Sequence, residues 1–130
     1  MYFSAWANSA HPWSEVHNFV QTVETMGWDG FWYADHYMPN TPDGEPIGGN
    51  FNECFSVLSA LAATTSKIRL GSLVTPTTVN HPALIANRSA TIDHISNGRF
   101  VLGMGAGWQV NEHKAFGIEL FDAKARVDRF

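Results

Sequence analysis

Short apolar runs alternate with amphipathic segments along the whole chain. Tyr2 to Trp6 is apolar and predicts a strand. His11-Pro12-Trp13-Ser14-Glu15 then reads as a helix start, with Ser14 as a cap and Glu15 at the positive end of the dipole. Val16, Phe19, Val20 and Val23 recur at helical spacing, and Gly27 sits where a left-handed residue ends a helix. Gly30 to Asp35 is apolar on both faces, as a buried parallel strand should be. Met38 to Asn50 is a loop rich in Pro, Gly, Asn and Asp, longer than a simple connection requires.

A second helix opens at Asn52-Glu53, with Phe55, Leu58, Leu61 and Ala62 on one face. Ile68 to Val74 is the third strand, ended by Thr75-Pro76. His81-Pro82 starts a third helix with proline at its first position, and Leu84, Ile85, Ile92 and Ile95 define its buried side. Ser96-Asn97-Gly98 is a turn. Arg99 to Gly103 is a fourth strand that runs into a glycine loop, Gly103 to Gly107. Ala123 to Phe130 opens a fourth helix. Strands that alternate with helices imply a parallel sheet, in an open doubly wound form or as part of a (β/α)8 barrel. Alternation alone does not choose between them.

Composition narrows the function classes. The chain has 130 residues, 45% hydrophobic and 15% charged, as a single globular domain should. The net charge is −4 and the basic residues are scattered, which argues against a nucleic-acid surface. No apolar run approaches the ~20 residues of a membrane span. The opening residues lack the basic region of a secretory leader. The single cysteine, Cys54, excludes an internal disulfide, fits a reducing cytoplasm, and is expected to be a buried apolar residue. Six histidines show no metal-ligand spacing, so no metal is expected. Five tryptophans are many for this length. Core packing explains each singly, while positions near strand ends also suit a flat-ligand pocket.

Candidate chemistry gathers at strand ends. Asp35-His36 follows the second strand, and parallel α/β folds bind ligands at the carboxyl ends of their strands. A histidine there can exchange a proton near neutral pH, and Asp35 could orient it, bond a cofactor or cap a turn. Gly103-Met104-Gly105-Ala106-Gly107 has G-x-G-x-G spacing, with Trp108 in the third glycine's place of a dinucleotide fingerprint. Close approach of a flat ligand and a plain tight turn both explain it. Gly71-Ser72-Leu73 marks a bulge or a ligand approach late in a strand. Asn111-Glu112-His113 follows the glycine loop and is polar at another strand's carboxyl end, with a solvated loop as the plain alternative.

Together these residues resemble the luciferase-like monooxygenase superfamily. The segments that carry the resemblance are Phe31-Trp32-Tyr33-Ala34-Asp35-His36, Ile68 to Thr75, His81-Pro82 and Ala90 to Trp108, with Asn111-Glu112. The nearest branch is the deazaflavin (coenzyme F420)-dependent oxidoreductases. The resemblance implies a (β/α)8 barrel, with residues 1–130 as its N-terminal half, about the first four βα units of one domain. It implies hydride transfer between coenzyme F420 and a small organic substrate. The alternatives are an FMN-dependent monooxygenase using reduced flavin and oxygen, and a non-catalytic flavin-binding protein or inactive fragment.

By the same resemblance His36 is the acid/base group or helps position the substrate, and Asp35 lies with it at the reactive ring. A non-proline cis peptide falls at Ser72-Leu73. Ser72, Leu73, Val74, Thr75, Gly105 and Asn111 contact the cofactor, and Trp6, Asn40 and Trp108 line the substrate pocket. The branch's sugar-phosphate dehydrogenases carry an acidic residue where Trp108 stands and a tryptophan where Asn40 stands. That speaks against sugar-phosphate oxidation and for a flatter, more apolar wall. Family barrels are more than twice this length, so a truncated chain that binds cofactor poorly alone is expected. A homodimer is open to the full-length parent.

Overall fold

The structure, a computed structural model, describes residues 1–130. In chain order the elements are β1 (Ser4–Ala7), α1 (Trp13–Thr25), β2 (Gly30–Tyr33), α2 (Cys54–Thr64), β3 (Arg69–Ser72), β4 (Thr75–Pro76), α3 (Pro82–Ser96), β5 (Phe100–Val101), β6 (Met104–Gly105), α4 (Val110–Phe116) and α5 (Ala123–Arg129). The sheet runs β1-β2-β3-β5 with every pairing parallel. No helix is long and apolar enough to cross a membrane.

Side chains alternate across the strands and sort the sheet into two faces. Ala5, Phe31, Tyr33 and Leu70 point to the helical layer, where they pack with Val16, Val20 and Val23 of α1. Cys54, Phe55, Val57, Leu58, Leu61 and Ala62 of α2, Ile68 before β3, and Ile85 and Ile92 of α3 complete that core. The opposite face carries Trp6 and Trp32. The Trp32 ring lies over Gly71, where an added Cβ would stand 2.5 Å from it. None of the five tryptophans is fully buried within residues 1–130.

The third and fourth strands each break into two pieces. Leu70 pairs with Phe100, 30 residues on, but Thr75 pairs with Met104, 29 residues on. One extra residue therefore lies between β3 and β4, a bulge of the kind that re-aims a strand end. The cis peptide is here, at Leu73-Val74 and not at Ser72-Leu73. Ser72 remains in register with Tyr33, and the Leu73 amide still donates to the Tyr33 carbonyl at 2.8 Å. The chain leaves the ladder only after that bond.

Helix ends follow local chemistry, with two departures from expectation. The Glu53 carboxylate caps α2 by accepting from the Phe55 and Ser56 amides, and His81 caps α3 ahead of Pro82. Asn97 ends α3 in the left-handed conformation. Ser14 does not cap α1, because the helix already begins at Trp13 after Pro12. Leu84 and Ile95 are exposed, because α3 meets its neighbours only along the Ile85–Ile92 stripe.

The amino ends of the strands are tied by Arg99. Its guanidinium donates to the carbonyls of Ala62, Thr65, Ser96 and Ile68 and to the Thr65 hydroxyl. It thus joins the end of α2 to the starts of β3 and β5. Glu24 faces the same connection and accepts from the Ser66, Lys67 and Ile68 amides. Arg99→Ala leaves these carbonyls unpaired and is expected to cost about 2–3 kcal/mol. Urea denaturation should show a lower midpoint at unchanged slope. An unshifted midpoint would contradict this role.

Candidate active site

β2 delivers its last residues to the carboxyl edge of the sheet, where the chain turns. The Ala34 amide donates to the Ala7 carbonyl, and the Ser9 hydroxyl donates to the Ala34 carbonyl. Asp35, His36 and Tyr37 follow directly. Here they meet α4, a helix where sequence reasoning kept a solvated loop as the plain alternative. Gln109, Asn111, Glu112 and His113 are all at least 98% buried.

Those four polar side chains are buried because each has a task. Gln109 donates to the Met38 carbonyl, and Asn111 donates to the Pro39 carbonyl at 2.7 Å. Glu112 accepts from the Tyr37 amide at 2.6 Å and faces His36 Nδ1 at 3.2 and 3.3 Å. His113 bridges the Gln109 carbonyl and the Thr78 hydroxyl. Helix α4 thereby clasps the start of the long segment between β2 and α2. Lys114 extends the clasp to Glu45.

A cleft of about 350 Å³ opens beside this clasp. Leu73 and Val74 form its apolar floor, 48% and 39% exposed. Gly105 and Trp108 flank it, and His36 and Glu112 stand at its polar side. The Trp108 ring meets His36 edge to face, with centroids 5.7 Å apart. The glycine loop is required by the protein's own packing. A Cβ at Gly103 would stand 2.1 Å from the Ser72 carbonyl oxygen. Gly107 has φ +77°, and a Cβ there would stand 2.1 Å from the Thr78 hydroxyl.

The expected site residues divide into three groups. His36, Leu73, Val74, Gly105 and Trp108 line the cleft. Asp35, Ser72, Thr75 and Asn111 are buried next in sequence to lining residues and do not themselves line the cleft. Ser72 exchanges hydrogen bonds with Gly103, accepting from its amide and donating to its carbonyl. Trp6 and Asn40 are not brought to this cleft. Trp6 faces a separate groove with His11, Glu15 and Phe19, because β1 is two strands away from β3. Asn40 is exposed in the loop just past the Pro39 carbonyl. Glu112 and His113 are the site residues that sequence reasoning missed. Their signal was the polar run Asn111-Glu112-His113 itself, next to the glycine loop.

The wall behind the cleft is electrostatically strained. Asp35 is 1% exposed, and neither carboxylate oxygen has a hydrogen-bond partner. Burial pushes its pKa up to about 6, with the Glu53 carboxylate adding to the rise; the nearby Thr75 hydroxyl and His36 work against it. Burial and the Asp35 charge also raise the Tyr37 hydroxyl. Thr75 Oγ1 and Asn111 Oδ1 are likewise buried and unpartnered.

Comparison with known proteins gives a consistent result. Residues 1–130 match the family model described as luciferase-like monooxygenase. An F420-dependent glucose-6-phosphate dehydrogenase of Amycolatopsis mediterranei is 36% identical over 112 residues, 85% of this chain and 32% of that protein. Limonene 1,2-monooxygenase of Rhodococcus erythropolis is 30% identical over 109 residues, 84% of this chain and 26% of that protein. The solved coenzyme F420-dependent tetrahydromethanopterin reductase of Methanopyrus kandleri superposes with TM-score 0.73 at 28% identity, over 89% of this chain and 30% of that one. The solved neighbours are (β/α)8 barrels, and the chain matches only part of them. It spans about a third of the length of the curated relatives it matches.

The raised Asp35 pKa has a signed consequence. An unfolded aspartate titrates near ~3.9, so the fold holds this proton more tightly. Stability should therefore fall as pH rises from about 4 to about 6, by roughly 3 kcal/mol. Asp35→Asn should abolish that fall and be the more stable protein at alkaline pH. Melting curves across this range check it; an unchanged slope in the variant would assign the effect elsewhere.

Proposed function

The chain belongs to the luciferase-like monooxygenase family, and from that premise we propose that its cleft takes the ring of a deazaflavin, coenzyme F420, in an oxidoreductase acting on a small organic substrate. The observation that carries the reading is the apolar floor of Leu73 and Val74 set directly beside His36. A flat heteroaromatic ring covers such a floor and presents its edge to a proton-handling side chain. Buried oxygens on Asp35, Thr75 and Asn111 offer hydrogen-bonding capacity that the chain itself leaves unused. Similarity to F420-dependent proteins supports the choice of deazaflavin.

A bound deazaflavin would take up hydride from the substrate as the substrate gives up a proton, or return it as the substrate regains one. The chain's own residues do the rest. Leu73, Val74 and Trp108 exclude water and set the plane of the ring. Asp35 and Asn111 would meet its polar edge, with Ser72, Thr75 and Gly105 shaping the surface against it. His36 holds or takes the substrate proton at Nε2, the ring nitrogen free of protein partners. Trp108 gives the substrate side an apolar wall, which favours an uncharged substrate over a sugar phosphate. Trp6 and Asn40 join that substrate side only through a wider pocket in the whole protein. Residues 1–130 form part of one barrel domain in this reading, in a cytoplasmic protein that can form a homodimer.

A second reading is an FMN-dependent monooxygenase, favoured by the similarity to limonene 1,2-monooxygenase. Titration of the whole protein that carries this chain with F420 and with FMN, followed by tryptophan fluorescence, separates the two. F420 is expected to bind about tenfold tighter or better, ~1.4 kcal/mol. Tighter FMN binding would favour the monooxygenase, and no binding of either would sink the cofactor site. In the enzyme that carries this chain, His36→Ala should lower turnover about a hundredfold or more with cofactor affinity kept. Unchanged turnover would remove His36 from proton transfer.

A further inference from the structure

We propose that Glu112 is a positioning residue that holds His36 in one tautomer, so that a bare Nε2 faces the cleft. The geometry leaves little freedom. Glu112 is 1% exposed and is pinned by the Tyr37 amide at 2.6 Å. Its two oxygens stand 3.2 and 3.3 Å from His36 Nδ1. A carboxylate accepts hydrogen bonds and has none to give. Nδ1 therefore carries the hydrogen, and a neutral imidazole then has its lone pair on Nε2. No protein group hydrogen-bonds Nε2, and Trp108 packs against the ring edge to face. The ring is thus held from two sides, by Glu112 at Nδ1 and by Trp108 at the indole contact.

Glu112 also fixes where His36 stands. The same carboxylate that receives Nδ1–H receives the amide of the next residue, so ring and backbone are gripped together. Without it, only the Trp108 contact would restrain the His36 side chain. A partner of this kind on the far ring nitrogen sets tautomer and orientation wherever a histidine works through the other one.

This inference rests on the reading that His36 handles a proton at this site, but its test needs neither cofactor nor substrate. The full chain is labelled with ¹⁵N, and long-range proton–nitrogen correlation of the histidine rings is recorded above neutral pH. His36→Gln identifies the His36 signals by their loss. The expected His36 pattern is a protonated Nδ1 with a bare, strongly downfield Nε2. In Glu112→Gln the amide oxygen can keep the Tyr37 contact while its NH2 faces Nδ1, so the pattern should reverse to Nε2–H. A wild-type His36 that is protonated on Nε2, or averages both tautomers, overturns the proposal. So does a Glu112→Gln protein that folds and keeps the wild-type pattern. Should that variant fail to fold, the wild-type spectrum alone decides. A correct tautomer with no cofactor binding would defeat the cofactor reading and leave this inference standing.

Discussion

A single buried carboxylate joins parts of the chain 75 residues apart, and the site exists only because it does. Glu112 receives the Tyr37 amide and faces the His36 ring from a helix that begins after the glycine loop. β2 ends at Tyr33, and the residues after Tyr37 run without helix or strand as far as α2. That segment has one backbone bond of its own, from the Gly44 amide to the Thr41 carbonyl. Its beginning is fixed instead by α4, through Gln109, Asn111 and Glu112 acting on three consecutive stretches of main chain. Burying four polar side chains is costly unless each is paired, and here nearly every polar atom is. Among the four, the buried atom left without a partner is Asn111 Oδ1; the Asp35 carboxylate and the Thr75 hydroxyl are also buried and unpartnered.

The floor of the cleft depends on a different constraint, the mismatch between the third and fourth strands. One extra residue between Gly71 and Thr75 turns Leu73 and Val74 out of the sheet. The partner strand accommodates this only with glycine at 103, where the Ser72 carbonyl leaves no room for a Cβ. Gly107 does the same for Thr78, which His113 then holds by its hydroxyl. The glycines serve the protein's internal geometry first, and the shape of the cleft follows from it. The helical layer covers one face of the sheet and the Arg99 tie lies at its amino edge, so both leave the carboxyl ends free for chemistry.

Much of this could be read from residue order. The β-α alternation, the apolar faces of α1 and α2, the proline start of α3 and the turn at Asn97-Gly98 all follow from local rules. The end of β2 as the place of Asp35-His36 follows from parallel topology. What local rules missed was set by distant partners. Helix α4 carries a polar sequence that has no apolar stripe to betray it, and its burial is visible only once the loop it clasps is in place. The cis bond stands one residue later than expected because the Leu73 amide keeps its bond to Tyr33. Leu84 and Ile95 have the right spacing for a buried face, but α3 packs along a narrower stripe. Trp6 lies on the sheet's far strand, a separation that no motif encodes.

The most direct test of the Glu112 tie is the hydrogen exchange of the Tyr37 amide. If that amide is held by a buried carboxylate, its protection should match that of the β2 amides, although Tyr37 lies outside any strand or helix. Exchange as fast as that of the exposed loop beyond residue 40 would mean that α4 does not hold this corner, and the account of the site would fail with it.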